Sequence, residues 1–235
     1  MYSKENRAAL RLDVLGLFLA GLINTFLALF DAGIIFGPGT DARQSDLLLR
    51  ATWIADHTLR WQGGWLFWFA VTLSFAWSYF ALGRHLDAAA RSWCNLAIGM
   101  ALIAAAVDLV GVLVNLTVLP ELAQALTEPP TESNSELQVV FRSTERLANA
   151  LTNVTAFGLY SFAGMLLLPP IFATPSYPRR LAWLGVAEWG IAVIATGLLV
   201  LAPALATGPL LVAFALYAPW VWGNAIWLLR GKPAP

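Results

Sequence analysis

The sequence predicts an all-α, polytopic integral membrane protein with six transmembrane helices and both termini in the cytoplasm. Three observations support this prediction: an apolar composition, six apolar segments of membrane-spanning length, and basic residues concentrated on one side of those segments. Of the 235 residues, 59% are hydrophobic and 12% are charged, and the mean hydropathy is +0.68. Since soluble domains carry about 25% charged residues, the composition excludes a soluble globular enzyme and a disordered chain.

The six predicted spans cover residues 14–36, 61–82, 93–119, 147–172, 181–201 and 210–229. Each approaches or exceeds the roughly 20 apolar residues that a helix needs to cross the hydrocarbon core of a bilayer. Residues 37–60 are too charged to span, but Leu47, Trp53 and Ile54 alternate with charged residues and indicate a short interfacial helix. Residues 120–146 are acidic and contain Glu128-Pro129-Pro130, which predicts a loop. We treat 1–235 as a single transmembrane domain.

The basic residues predict the orientation, because cytoplasmic segments are enriched in Lys and Arg. With a cytoplasmic N-terminus, nine of the 14 basic residues lie inside: Lys4, Arg7, Arg11, Arg84, Arg91, Arg179, Arg180, Arg230 and Lys232. The other five lie outside: Arg43, Arg50, Arg60, Arg142 and Arg146. The opposite orientation would reverse this bias.

Polar side chains recur within the spans at intervals of four or seven residues, which place them on single helix faces. They are Asn24, Asp31, Asp108, Asn115, Glu145, Asn149 and Asn153, with Gln62 at the start of the second span. In the predicted topology they share the outer half of the membrane, so we expect a polar cavity between the first four helices. Alternatively, the asparagines only fasten helices together by hydrogen bonds, and Asp31 and Glu145 lie among the lipid headgroups or pair with Arg60 or Arg146.

Asp108 is the hardest of these residues to explain by packing. It lies near the middle of the third span, close to Ala104 and Gly111, which allow another helix or a ligand to approach. An ionised carboxylate at mid-membrane costs about 2.5–3.5 kcal/mol on insertion scales. Asp108 must therefore be protonated, hydrated or paired, and Arg60 and Arg146 are the nearest basic candidates in depth.

A second polar position, Glu188, lies in the fifth span. It shares a helix face with Gly185, Ala192 and Ala195, the small residues that allow helices to approach closely, so it points at a neighbouring helix. One face of the sixth span carries Tyr217, Trp220, Asn224 and Trp227. Asn224 lies at a depth similar to that of Glu188, which predicts a contact between the two; a lone hydrogen bond fastening two helices is the simpler explanation.

The positions of the tryptophans and prolines within the spans indicate a candidate pocket wall and candidate breaks in the helices. Trp61, Trp65 and Trp68 form a stripe on the second span, which can line a lipophilic pocket or stabilise a cation through its π faces. Packing against lipid or the protein core is the alternative. Pro169-Pro170 in the fourth span and Pro219 in the sixth predict kinks or early helix ends.

Several cofactor and partner classes are excluded. Neither of the two lysines lies in a span, so a retinal Schiff base is excluded, and His57 and His85 flank opposite ends of the second span and cannot share a haem. The single cysteine, Cys94, argues against a Cys/His metal site. A net charge of zero gives no basic field for a nucleic acid. We therefore predict no cofactor, no metal and no nucleic-acid partner.

Two short segments at the predicted cytoplasmic ends of spans combine basic residues with glycine or proline. Ala81-Leu82-Gly83-Arg84-His85 ends the second span, and Tyr177-Pro178-Arg179-Arg180-Leu181 starts the fifth. Together with the long segment after the first span, they make most of the chain resemble an uncharacterised family of bacterial six-helix membrane proteins, a domain of unknown function. The resemblance implies the six-helix fold and supplies no activity. We expect the protein in a bacterial inner (cytoplasmic) membrane.

The residues favour a protein that binds or processes a lipophilic small molecule, a lipid or an isoprenoid-like compound. If it is an enzyme, proton-driven isomerisation or cyclisation fits best, with Asp108 as the acid and Trp65 and Trp68 stabilising a developing cation. The candidate catalytic residues are Asp108, Asp31 and Glu188. The candidate ligand-binding residues are Asn24, Asn115, Asn149, Asn153, Gln62, Trp65, Trp68, Asn224 and Trp220.

Two other functions compete with this one. In a proton-coupled carrier, Asp31, Asp108 and Glu188 would form a carboxylate relay across the membrane. In an accessory or pigment-associated subunit, the small-residue faces and tryptophans would dock partners in a homo-oligomer or a larger membrane complex. What co-purifies with the protein would discriminate between these functions.

Overall fold

The computed structural model describes residues 4–26, 46–128 and 134–230. Over these ranges every regular element is helical, and six helices are long and apolar enough to cross a membrane. The predicted fold class is therefore confirmed, and the protein is an integral membrane protein. The predicted remainder of the first span, including Asp31, lies outside the described residues.

The described ranges contain nine α-helices. They are α1 (Lys4–Phe26), α2 (Leu47–Asp56), α3 (Thr58–Gly83), α4 (Arg91–Leu113), α5 (Leu119–Thr127), α6 (Asn134–Asn149), α7 (Phe157–Ala173), α8 (Arg179–Leu201) and α9 (Thr207–Arg230). Short 3₁₀ helices, Ala88–Ala90 and Pro203–Leu205, precede α4 and α9.

Two π-helical segments make the third and fourth spans unusually long. Val114–Val118 joins α4 to α5, and Ala150–Ala156 joins α6 to α7. The continuous helices Ala88–Thr127 and Ser135–Ala173 contain 40 and 39 residues. At about 1.5 Å per residue each is roughly twice as long as the hydrocarbon core is thick, so both extend beyond it.

Residues 120–146 thus differ from the predicted loop, because they are helical on both sides of 129–133. Pro120 lies in the first turn of α5, a position where the missing N–H group is tolerated. In α6, Leu137 and Phe141 repeat at a spacing of four residues and pack against the same apolar cluster. In the described parts of 120–146, this helical periodicity outweighs the turn residues.

The predicted short helix within 37–60 is α2, and it packs against α5. The Asp46 carboxylate caps its first turn by accepting hydrogen bonds from the N–H groups of Leu48 and Leu49, both at 3.1 Å. Its apolar side chains belong to a small second core, the α2–α5 cluster, which consists of Ala51, Ile54, Trp61, Leu119, Ala123, Leu126 and Phe141. The cluster covers one end of the spans.

The six spans close into a ring, in which each helix packs against two neighbours in the order α1, α3, α4, α7, α8 and α9. Aromatic side chains fill the centre and meet across the ring. Phe75 of α3 lies 4.5 Å from Tyr217 of α9 and 5.0 Å from Tyr160 of α7, measured between ring centroids. Tyr79 of α3 lies 5.6 Å from Trp189 of α8. The centre of the ring is therefore a packed aromatic layer.

The prolines do not end their helices. The helix α7 continues for three residues beyond Pro169-Pro170 to Ala173, and α9 passes Pro219 and ends at Arg230. Thr174 donates its hydroxyl to the Pro170 carbonyl at 2.8 Å, which satisfies one of the terminal acceptors of α7. Neither proline site ends its helix early, and the alternative of a kink stays a prediction.

Candidate functional site

Asp108 is buried in the face of α4 that packs against α3, with only 4% of its surface exposed. Thr72 donates its hydroxyl to Asp108 Oδ2 at 2.6 Å, and the indole N–H of Trp68 donates to Oδ1 at 3.3 Å. Thr72 and Trp68 are four residues apart, so one face of α3 presents both donors. Both are neutral, and the structure therefore satisfies the carboxyl group with hydrogen bonds but does not compensate a charge.

A pocket opens beside Asp108 and contains about 330 Å³ of empty space, counted out to its open mouth. Its polar lining is Trp68, Asp108, Thr152 and Asn153, and its apolar lining is Val71, Phe75, Phe157, Tyr160, Leu210 and Phe214. We call this the Asp108 pocket. Most of this space is the open mouth and the enclosed part is small, so the pocket takes the polar tip of a ligand and not a whole lipid.

Tyrosine hydroxyls fix the inner wall of the Asp108 pocket. Tyr160 donates to the backbone carbonyl of Thr72 at 3.3 Å, and Tyr79 donates to the backbone carbonyl of Tyr160 at 2.5 Å. These bonds tie α3 to α7 across the ring. The pocket consequently ends at the aromatic layer that contains Phe75 and Tyr160.

The π-helical segment Ala150–Ala156 supplies Thr152 and Asn153 to the Asp108 pocket. It lies directly against α4 because Gly111 has no side chain: a Cβ atom there would be 2.6 Å from Thr152 Cγ2 and 3.1 Å from the Ala148 carbonyl oxygen. Gly111 is three residues beyond Asp108. Close approach at this glycine therefore brings the segment to the carboxyl group.

Only part of the polar set expected at the cavity lies together. Asp108 and Asn153 line one pocket, together with Trp68 from the predicted tryptophan stripe. Asn149 is exposed, and its side-chain oxygen accepts a hydrogen bond from the amide of Asn153. Asn24 is buried between α1 and α3, where its amide donates to Ser74 Oγ at 3.2 Å, and it does not line the pocket.

Asn115 and Gln62 hold a π-helical turn instead of lining the Asp108 pocket. The side-chain amide of Asn115 donates to the backbone carbonyl of Gly111 at 2.9 Å. The backbone carbonyl of Asn115 accepts a hydrogen bond from the indole N–H of Trp61 at 2.7 Å. Gln62 donates to the Leu116 carbonyl at 3.0 Å. The bonds from Trp61 and Gln62 satisfy carbonyls within Val114–Val118, the π-helical segment. The expectation that both residues face the cavity is corrected accordingly.

The tryptophan stripe connects the α2–α5 cluster with the Asp108 pocket. The ring centroids of Trp61 and Trp65 are 5.8 Å apart, and those of Trp65 and Trp68 are 5.9 Å apart. Trp65 packs against the α2–α5 cluster, whereas Trp68 lines the pocket. The stripe therefore serves both packing and the pocket wall, at opposite ends.

The basic residues expected to pair with Asp108 and Glu145, Arg60 and Arg146, do not do so in the described residues. Glu145 forms an ion pair with Arg50 of α2, and Arg60 lies over the Trp53 ring, 5.9 Å from its centroid. Within residues 4–26, 46–128 and 134–230, none of the ion pairs includes Asp108. The pairing of Glu145 with Arg60 or Arg146 is thus wrong, because α2, which packs against α5, presents Arg50 to Glu145 instead.

Glu188 is buried in α8 with 2% exposure, as its small-residue face predicts. In the described part of the chain its Oε2 has no hydrogen-bond partner, and neither does the indole N–H group of Trp189. Trp220 packs so tightly that a Cβ atom at Gly185 would lie 2.6 Å from its Nε1. Glu188 thus faces the aromatic centre of the ring.

The predicted contact between Glu188 and Asn224 is wrong. The side-chain oxygen of Asn224 accepts from the Tyr177 hydroxyl at 2.6 Å, and its amide donates to the Trp220 carbonyl at 2.9 Å. Tyr177 lies in the connection between α7 and α8, and burial raises the pKa of its hydroxyl above the usual range, so it remains a donor. Asn224 therefore fastens a connection and takes no part in a site with Glu188.

Sequence reasoning missed a third buried carboxylate, Asp13 of α1, which has 1% exposure. It pairs with Arg84 and accepts a hydrogen bond from His85 Nε2 at 2.9 Å. Asp13 immediately precedes the first predicted span, and Arg84-His85 immediately follows the second. Antiparallel neighbours place these positions side by side, so the sequence contained a signal that could have identified this cluster.

No family model, curated protein or solved structure matches the chain. The six-helix arrangement expected from the family resemblance is present.

Proposed function

We propose that the protein binds a lipophilic small molecule in the Asp108 pocket and holds its polar end at the Asp108 carboxyl group. The observation that supports this most strongly is the environment of Asp108. It is buried, it receives hydrogen bonds from two neutral donors, and it lies at the edge of a pocket whose other walls are mostly aromatic. A concave apolar site with a few convergent polar groups is typical of small-molecule binding.

The cost of keeping Asp108 also favours a functional role over packing. An asparagine or a serine would fasten α4 to α3 at a lower desolvation cost than a carboxyl group. Thr72 and Trp68 direct both of their donors to the carboxyl oxygens, so the site is organised around an acidic group. In an enzyme this group would be the proton donor for an isoprenoid-like substrate, and Trp68 would be the nearest aromatic group.

The contacts favour binding over a carboxylate relay between Asp108 and Glu188. The hydrogen bonds that lead away from Asp108 run from the Tyr160 hydroxyl to the Thr72 carbonyl, and from the Tyr79 hydroxyl to the Tyr160 carbonyl. Backbone carbonyls accept hydrogen bonds but have no proton to donate. Protons would need a different route in a proton-coupled carrier.

We further propose the inner (cytoplasmic) membrane of a bacterium as the location. Membrane lipids surround the spans in this proposal. A homo-oligomer or a larger complex belongs to the alternative of an accessory subunit.

Co-purification tests the proposal. The wild type, Asp108→Asn and the control Glu121→Gln are purified in the same detergent, and lipophilic compounds are extracted and quantified by mass spectrometry. Glu121 is an exposed acid of α5 outside the Asp108 pocket, so its substitution matches the change in charge. We expect a compound that is stoichiometric in the wild type and the control and is depleted in Asp108→Asn. An identical set of compounds in all three proteins would contradict the proposal.

A further inference from the structure

We infer that the polar end of the ligand is a cation, an amine or a quaternary ammonium group on a lipophilic chain. This inference rests on the proposed function and specifies its ligand class. It follows from the charge and the wall chemistry of the Asp108 pocket, which are two independent observations.

The first observation is the uncompensated acid. Among the described residues, no Lys, Arg or His lines the Asp108 pocket or forms an ion pair with Asp108. Thr72 and Trp68 occupy about half of the lone-pair sites of a carboxylate and contribute no positive charge. A buried carboxylate without a counter-ion is costly, and a cationic ligand beside it removes that cost.

The second observation is the aromatic wall. Five of the ten lining residues are aromatic: Trp68, Phe75, Phe157, Tyr160 and Phe214. They form two close pairs, with ring centroids 5.0 Å apart for Phe75 and Tyr160 and 5.7 Å apart for Phe157 and Phe214. Aromatic faces next to a carboxylate attract ammonium groups, and they do so more strongly when the site is desolvated.

The same features disfavour other headgroups. An anionic group would meet the acid of Asp108 with no positive group to balance it. A neutral hydroxyl can donate one hydrogen bond to Asp108 but leaves its charge uncompensated. An ammonium group balances the carboxylate and lies against the aromatic lining.

The test compares three amphiphiles that share a 12-carbon chain and differ in headgroup: dodecyltrimethylammonium, dodecanol and dodecyl sulfate. Radiolabelled forms bind to the protein in lipid nanodiscs, below micellar concentrations, and empty nanodiscs supply the background. We expect the cation to bind about tenfold or more tightly than the alcohol. Asp108→Asn should abolish this preference, and Glu121→Gln should retain it. Asn153→Trp, which fills the pocket, should remove binding of the cation and the alcohol alike.

Each failure has a different meaning. If the cation and the alcohol bind equally and Asn153→Trp removes both, the cationic class is overturned and the lipophile pocket stands. If neither amphiphile exceeds empty nanodiscs, the proposed function is overturned as well. A preference for the cation that survives Asp108→Asn also overturns the inference, because the selectivity then comes from elsewhere.

A cationic headgroup can belong to a membrane lipid or to a free amphiphile. Nanodiscs of phosphatidylglycerol alone are therefore compared with nanodiscs that contain phosphatidylethanolamine. Competition by phosphatidylethanolamine against labelled dodecyltrimethylammonium identifies a lipid headgroup as the source. Undiminished binding identifies a free lipophilic amine, and both results support the cationic class.

Discussion

Replacing Gly111 by alanine should separate α4 from the segment that supplies Thr152 and Asn153 to the Asp108 pocket. The added Cβ would lie 2.6 Å from Thr152 Cγ2, 3.1 Å from the Ala148 carbonyl oxygen and 3.2 Å from Leu151 Cβ. A carbonyl oxygen and a Cβ atom cannot rotate away, so the backbone itself must move.

The expected magnitude follows from two opposing terms. Overpacking of this kind costs about 1–3 kcal/mol, and alanine gains about 0.5–1 kcal/mol over glycine inside a helix. The net loss in free energy of unfolding is therefore about 1 kcal/mol, which lowers the thermal midpoint of a protein of this size by roughly 2–4 °C. Binding of labelled dodecyltrimethylammonium should weaken as well, because Asn153 moves away from Asp108.

Cys94 provides the assay. It is the single cysteine of the chain and is fully buried in α4, so a thiol-reactive dye reports its exposure on unfolding. Gly99→Ala is the matched control, because it makes the same change in the same helix and its Cβ would meet nothing within 4 Å. We expect the control to have an unchanged or higher midpoint. Equal midpoints for Gly111→Ala and Gly99→Ala would refute the reasoning.

Three further predictions concern other parts of the molecule. Asp13→Asn breaks the pairs with Arg84 and His85 and should lower the free energy of unfolding by about 1–3 kcal/mol. The loss is smaller than for a fully buried pair, because Arg84 is partly exposed. A midpoint equal to that of the wild type in the Cys94 assay would show that these pairs do not stabilise the packing of α1 against α3. Glu188→Met removes an unpartnered buried oxygen and should raise the midpoint, whereas a lower midpoint indicates that the carboxyl group has a stabilising partner. Single cysteines in a Cys94→Ala background should react with an impermeant label from outside at positions 133 and 207 and from inside at position 176, and outside labelling at 176 would reverse the predicted orientation.

The six spans could be predicted because a membrane imposes strong constraints on length and hydropathy. The burial of Asp108 and Glu188 followed from the same physics, since each lies among small residues in an apolar helix. Their partners could not be predicted, because rotation and depth of neighbouring helices decide them. Thr72 lies within an apolar stretch of α3 and has no pattern that identifies it as the donor to Asp108.

The departures from prediction have two physical causes. The π-helical turns at Val114–Val118 and Ala150–Ala156 shift the faces of the helices that contain them, so Asn115 bonds to its own helix while Asn153 reaches the Asp108 pocket. Segments between the spans also supply unexpected partners. Arg50 of α2 forms an ion pair with Glu145, and the Tyr177 hydroxyl donates a hydrogen bond to the side-chain oxygen of Asn224. Periodicity within a span contains no information about either effect.

Photo-crosslinking tests the central claim most directly. A dodecyltrimethylammonium analogue with a diazirine beside its headgroup is bound to the protein in nanodiscs and activated, and the labelled residues are mapped by mass spectrometry. The account predicts labels on the pocket residues Phe157, Tyr160 and Phe214 that unlabelled dodecyltrimethylammonium suppresses. Labels confined to the outward-facing residues Leu102, Ile103 and Leu211, which are 56%, 60% and 53% exposed, would contradict it.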